Sequence, residues 1–369
     1  MIARRIPFMS LVPGEDAGEV RRAIDRVIAS GWFILGPEVG AFEEEFAAAS
    51  GAAYAVGVGT GTDAIALILR ALGIGAGDEV ITSPLSAAYS ALAIMMAGAR
   101  PVFADVDPEH GTIDPDRIAG RIGPRTRAIL PVHLYGQAAD MAAIEHLAAR
   151  HNLAIVEDCC QAHLATSEGR PVGTIGVAGA FSFYPTKNLG ALGDGGAIVT
   201  SDRALADRLK RLRNGGQTDR YHHQEPGINS RLDDLQAAIL RARLPRLRAW
   251  TARRRALAAR YRDALESAIV EPLPERDHGH VYHLFVVRTD DRERLQADLA
   301  AKGIETLIHY PVPIPRQPAL AGEHPDDCPV AARMCGEILS LPLHPALRDD
   351  EVDEIAAAVR AFRPRPVLP

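Results

Sequence analysis

The sequence predicts an α/β protein with an N-terminal arm and a large, mostly parallel sheet domain over residues 1–249, then a smaller α+β domain over 250–369. Three observations carry this reading. The length of 369 residues suits two domains of about 150 residues or more each. From Ala53 onward, short β-branched runs with little alternation are separated by longer helical runs, the pattern of βαβ units around a sheet buried on both faces. After Val177 the rhythm changes, and the last third reads as mixed strands and helices.

Taken in order, AYAVGV (53–58) reads as a strand and TDAIALILRAL (62–72) as an amphipathic helix, closed by the glycines at 73, 75 and 77. DEVITS (78–83) is the next strand, followed by a helix through Ala97 and the strand RPVFADV (100–106). TRAILPV (126–132) and LAIVED (153–158) are further strands, separated by the helical MAAIEHLAAR (141–150). GAFSFYPT and GGAIVT (195–200) read as two strands joined by a glycine-rich connection without a helical crossover. A long arginine-rich helical region runs from about Leu232 to Leu265, and Pro245 should break or bend it. Beyond the boundary near Trp250, HVYHLFVVR (280–288), a helix to Lys302, IETLIHY (304–310) and a terminal helix (350–362) form the smaller unit.

Composition removes several functional classes. Hydrophobic residues at 47% and charged residues at 24% are globular proportions and exclude a mainly disordered chain. A net charge of −6 argues against nucleic acid as a partner, and the arginine run at 241–262 reads as a solvated helix face. No apolar run approaches the roughly 18 residues a membrane helix needs, and the N-terminus lacks signal-peptide character, so a cytoplasmic protein is expected. Cys159, Cys160, Cys328 and Cys335 lack zinc-site spacing and read as reduced thiols; no metal is expected.

Only three lysines stand against 38 arginines. Lys210 lies among arginines on a polar helix and Lys302 lies in a last helical turn before a glycine; arginine would serve at both. Lys187 differs. Its context, AFSFYPTKNLGALGDGGAIVT, places aromatics before it and glycines after it, with no neighbouring charge until Asp194. A partly desolvated amine there has a lowered pKa and is a candidate nucleophile for carbonyls; the alternative is a lysine snorkelling from a strand end.

Asp158 ends the strand LAIVED, where ligands of parallel sheets gather. Its carboxylate needs a cation, which is either Lys187 as a structural ion pair or a pyridinium nitrogen, as in pyridoxal phosphate sites. Gln161 either reaches the same ring or is an ordinary loop amide. AVGVGTGTDAIA (55–66) is a strand, a glycine-rich turn and a helix start, a phosphate cradle in which Gly61 and Thr62 would act with the Ser182 hydroxyl. A dinucleotide site is the weaker reading of that turn. Threonine holds the place of the third glycine, and no acidic residue ends the next strand.

Several of these blocks, in order, resemble the DegT/DnrJ/StrS family of pyridoxal-phosphate sugar aminotransferases. GPEVGAFEEEFA (36–47), GTGTDA (59–64), PVFADVDP (101–108), PVHLYGQAADM (131–141), VEDCCQAH (156–163), FSFYPTKNLGALGDGG (181–196), INSRLDDLQAAIL (228–240) and ETLIHYP (305–311) carry the resemblance. It implies the aspartate-aminotransferase (type I) fold and a homodimer with shared active sites. It also implies pyridoxal 5'-phosphate as cofactor, a nucleotide-linked keto-sugar as amino acceptor and glutamate as donor. Lys187 matches the Schiff-base lysine, Asp158 the partner of the pyridine nitrogen and Gln161 the residue against the ring. Gly61, Thr62 and Ser182 match the phosphate site. Asn229 matches a residue reaching the phosphate of the other subunit, with a turn residue before the next helix as its alternative. His309 and Tyr310 match positions near the substrate, or a packed strand end. The block around Lys187 most resembles members aminating C3 of a 3-keto sugar, often dTDP-linked. Ala87 departs from the pattern, because many members carry an aromatic residue there that stacks on the ring. Three competing readings are a dehydratase of the same family, which has histidine in place of the lysine, a non-catalytic regulatory member and, weakest, a nicotinamide oxidoreductase.

Overall fold

A computed structural model describes residues 5–266, 269–320 and 327–363. Its centre is a seven-stranded sheet. Across the sheet the strands run in the order Tyr54–Val58, Gly196–Thr200, Ala178–Ser182, Ala154–Asp158, Thr126–Leu130, Glu79–Thr82 and Arg100–Phe103. Gly196–Thr200 is antiparallel to both neighbours, which is the outcome of a glycine-rich connection too short for a helical crossover. The remaining neighbours pair in parallel.

The near-absence of alternation in these strands reflects burial on both faces. Ala128, Leu130 and Val156 pack with Ile65 and Leu69 of the helix Gly61–Ala71 on one face. Ile129 and Ile155 turn the other way, onto Met141 and Ile144 of the helix Met141–His151. Farther along that second side, Phe181 and Phe183 meet Phe42 and Phe46 edge to face.

One charged residue of the central strand is also inward-facing. Glu157 is fully buried and accepts N–H bonds from Gly173 at 2.7 Å, Ile175 at 2.8 Å and Gly176 at 2.7 Å. The Nε2 of His133 lies 3.0 Å from the same carboxylate. Since His133 Nδ1 accepts the Ala139 N–H, its Nε2 carries the hydrogen and donates. His133, Glu157 and Cys159 cluster closely enough to suggest a metal site, but both Glu157 oxygens are committed to protein donors, which makes the trio a bracket holding the 173–176 turn.

A second, antiparallel sheet consists of Glu271–Pro272, Phe285–Arg288 and Ile338–Leu341. The helices Leu247–Leu265, Arg292–Ala301 and Asp349–Ala361 cover it through Tyr261, Leu295, Leu299, Ile355 and Val359. The arginine-rich region divides where expected: Asp234–Arg243 and Leu247–Leu265 are helices separated by a 3₁₀ turn, Leu244–Arg246, that contains Pro245. Trp250 sits inside the second of these helices, which leads from the first sheet to the second.

Two expected elements are shorter than read from sequence. Only Phe285–Arg288 of the run at 280–288 is a strand. Upstream of it, the Val281 and Leu284 N–H groups bond to the carbonyls of Gly136 at 2.9 Å and Tyr135 at 3.3 Å, so this backbone forms a seam with the first sheet's loops. Gly136 is required there: its φ is +95°, and a Cβ would lie 2.9 Å from the His283 nitrogen. The run at 304–310 makes isolated bridges, Ile304 with Ile6 and Leu307 with Ser340, and no continuous strand. Ile6 completes that corner from the start of the chain, donating to the Gly303 carbonyl at 2.9 Å and accepting from Glu305 at 3.0 Å. Among the described residues no helix is long and apolar enough to cross a membrane.

Candidate active site

The carboxyl edge of the large sheet gathers Gly61, Thr62, Asp158 and Ser182, each at or just beyond the end of a strand. The helix Gly61–Ala71 begins at Thr60, whose Oγ1 accepts the Asp63 N–H at 3.0 Å. The first-turn N–H groups of Gly61 and Thr62 have no partner within the helix, which is what an anion at that terminus uses. Glycine is needed at 61 because a Cβ would lie 2.6 Å from Cys160 Sγ and 2.9 Å from Ser182 Cβ. The turn is braced from outside by Ser230, whose Oγ accepts the Gly59 N–H at 2.9 Å and donates to Asp63 at 2.8 Å. Asn229, next to Ser230, is exposed, and its backbone bridges to Asn214. It is therefore Ser230 that reaches this turn within the chain.

Asp158 is buried, with 5% of its surface exposed. Its Oδ2 accepts the Ser90 hydroxyl at 2.7 Å and its Oδ1 the Cys160 N–H at 3.1 Å. Among the described residues no lysine or arginine pairs with it, so the structural ion pair with Lys187 is not formed. Lys187 lies close enough for Asp158 to act on it electrostatically. Burial lowers the Lys187 amine from the ordinary lysine value, and the neighbouring Cys160 and Asp158 only partly oppose that.

The loop carrying Lys187 is fixed on several sides. The Lys187 N–H closes a turn onto the Tyr184 carbonyl at 2.8 Å, and Ala191 returns to Phe183 at 2.7 Å. Arg243 donates to the Gly190 carbonyl at 2.6 Å while paired with Asp16 at 2.7 Å. Asn188 donates to the Val281 carbonyl at 3.0 Å, and its Oδ1 lies 3.3 Å from His283 Nδ1. The seam from the second sheet thus locks the residue beside the lysine. Ser90, Asn188 and His283 were not singled out from the sequence, since nothing local marks contacts made across 68 and 95 residues.

Gln161 and Tyr310 meet over the same edge. Gln161 Oε1 accepts the Tyr135 N–H at 2.8 Å, and its Nε2 donates to the Tyr310 hydroxyl at 3.0 Å. Burial pushes the Tyr310 hydroxyl well up from the usual phenol value, and nearby Asp158 adds to this. His309 packs against the Phe8 ring with centroids 5.7 Å apart, and its Nδ1 lies 2.9 Å from Ser340 Oγ. Burial, reinforced by the charge of Lys187, lowers His309 to about 4. His163 is fully buried against Phe181 and Phe183, and burial lowers it to about 3. Both imidazoles are neutral at ordinary pH. Ala87 lies just before the helix Tyr89–Met96, and Tyr89 begins that helix with 63% of its surface exposed.

The donor set therefore combines a desolvated amine, a buried carboxylate with no cationic partner among the described residues, a helix terminus suited to an anion and a pinned amide–phenol pair. The family model for DegT/DnrJ/EryC1/StrS aminotransferases matches residues 15–360. The chain is 48% identical to a dTDP-3-amino-3,4,6-trideoxy-alpha-D-glucose transaminase of Streptomyces venezuelae, over 98% of this chain and 97% of that protein. It is 46% identical to the erythromycin biosynthesis sensory transduction protein EryC1 of Saccharopolyspora erythraea, over 96% and 99%. The crystal structure of S. venezuelae DesV superposes with a TM-score of 0.94 at 48% identity, covering 96% of this chain and 98% of that one.

Proposed function

The chain belongs to the DegT/DnrJ/EryC1/StrS aminotransferase family, and from that premise we propose that it is a pyridoxal-5'-phosphate-dependent transaminase moving an amino group, from glutamate, onto a nucleotide-linked keto-sugar. The acceptor we propose is a dTDP-linked 3-keto-deoxyhexose. The observation that carries this reading is Asp158, a buried carboxylate with two hydrogen-bond donors and no cationic partner among the described residues. A pyridinium nitrogen would supply that cation.

The residues fit the cofactor by their chemistry. Asp158 would hold the ring nitrogen protonated, Lys187 would hold the aldehyde end, and Gly61, Thr62 and Ser182 would hold the phosphate, with Gln161 against the ring. When bound, the cofactor supplies an electron-accepting ring and a carbonyl that carries the amino group between substrates. The protein supplies the proton chemistry. Lys187, as a free amine of lowered basicity, takes the proton from the amino donor's Cα and later delivers one to the sugar carbon that becomes aminated. In this reading His309 and Tyr310 would face the substrate, and both are uncharged. Arginine at 187 could not do this work, because its guanidinium does not lose a proton at ordinary pH.

The proposal extends to a homodimer in the cytoplasm. Trp32, Phe33 and Ile34 are exposed beside the start of the helix Asp234–Arg243, and Leu192, also exposed, hydrogen-bonds to Gln236 of the same helix. A second copy would cover these residues, and Asn229, exposed shortly before the same helix, would be the residue offered to its phosphate. Lysine at 187 speaks against the dehydratase reading, in which histidine stands at that position. A panel of nucleotide keto-sugars assayed with glutamate tests the function directly. The expected result is 2-oxoglutarate formation with a dTDP-linked 3-keto sugar. A purified protein that takes up no pyridoxal phosphate, and shows no visible absorption that borohydride bleaches, would overturn it.

A further inference from the structure

The Ser90 hydroxyl donates to Asp158 Oδ2 at 2.7 Å, the shorter of the two bonds that this carboxylate receives. Ser90 is buried, at 2% exposure, in the first turn of the helix Tyr89–Met96. The direction of the bond follows from the partners. An ionised carboxylate only accepts, so the single hydroxyl hydrogen of Ser90 is committed to Oδ2. The Cys160 N–H occupies one direction on Oδ1. Each oxygen thus receives one of these two donors, and together they orient the carboxylate. The helix adds to this, because its N-terminal end carries partial positive charge toward an anion lying against its first turn.

We infer that Ser90 is a positioning residue for the reaction: its hydroxyl fixes the orientation of the Asp158 carboxylate. Asp158 is thereby held ready for a cationic ring nitrogen without a competing charge. This rests on the transaminase reading, in which Asp158 meets that nitrogen. A hydroxyl suits the role better than a cation. A lysine or arginine here would neutralise Asp158 and leave nothing for the ring, whereas a neutral donor orients the carboxylate and leaves its charge in place. The serine also makes a contact that the backbone cannot, since it comes from a different strand–helix unit, 68 residues away.

The test compares Ser90→Ala and Ser90→Thr holoenzymes with wild type, measuring cofactor affinity by absorbance titration as well as kcat and KM for each substrate. The expected result for Ser90→Ala is a roughly 10-fold lower kcat, KM values within twofold of wild type and cofactor binding weakened roughly 3- to 10-fold, about the range an ordinary intramolecular hydrogen bond spans. Ser90→Thr, which keeps the hydroxyl, should restore both. If wild type binds the cofactor and Ser90→Ala matches it within twofold in kcat and cofactor affinity, the inference fails while the transaminase reading stands. It also fails if Ser90→Thr is as impaired as Ser90→Ala, since the loss would then follow shape rather than the hydroxyl. A wild-type protein that takes up no cofactor would overturn both.

Discussion

Gln161 Nε2 donates to the Tyr310 hydroxyl at 3.0 Å, joining residues 149 positions apart in the chain. Because Gln161 Oε1 is held by the Tyr135 N–H, the amide cannot rotate away, and the phenol hydrogen of Tyr310 is left to point into the site. The two side chains should therefore act as one unit. Gln161→Ala and Tyr310→Phe are each expected to lower kcat, and the double variant should lose less than the sum of the two. The expected coupling is about 0.5 kcal/mol or more. Losses that add within about 0.3 kcal/mol would show that the residues act independently.

Lys187→Ala should abolish the visible absorption of the loaded protein and lower kcat by roughly 10³-fold or more, the scale on which a positioned proton carrier and nucleophile act. Lys187→Arg should do no better, which separates a need for a removable proton from a need for positive charge. Steady-state turnover with glutamate, together with an absorption spectrum, checks both variants.

Cofactor loading should follow the free amine of Lys187. The amine is protonated below its pKa, so loading slows as pH falls through that value. Burial lowers the pKa from the ordinary value of 10.5. Loading of the apoprotein should therefore persist at pH values where an exposed lysine is almost wholly protonated, and its midpoint should fall below that of free lysine. A stopped-flow series of loading rates against pH gives the midpoint; one at or above 10.5 would contradict a desolvated amine.

Glu157→Ala should cost stability and not chemistry first. Removing the carboxylate, itself fully buried, strands the N–H groups of Gly173, Ile175 and Gly176 together with the donor of His133. A loss of about 3 kcal/mol or more is expected in urea unfolding of the apoprotein. A variant as stable as wild type would mean that the 173–176 turn is held by other contacts.

Most strands of the large sheet were legible in sequence because they are buried on both faces and so read as short apolar runs, the edge strand Arg100–Phe103 being only partly buried. Lys187 stood out because the chain almost always uses arginine, and Asp158 because it ends such a run. What could not be read depends on packing between distant segments. The stretch 281–284 has the composition of a strand, yet its Val281 and Leu284 N–H groups go to Gly136 and Tyr135, whose positions no local pattern reveals. Ser90 is one serine among several in its segment. Its meeting with Asp158 exists only because two βαβ units set their helix and strand ends side by side.

Residues early in the chain, from Ile6 to Asp16, are joined to segments made much later. Phe8 donates to Glu305 across 297 positions and lies on the ring of His309, while Asp16 waits for Arg243 across 227. During synthesis at about 5–20 residues per second, the N-terminal segment emerges tens of seconds before its partners exist. The seven-stranded sheet, complete once Thr200 has emerged, can form in that interval. The contact between Phe8 and His309 therefore closes only after that sheet can already have formed.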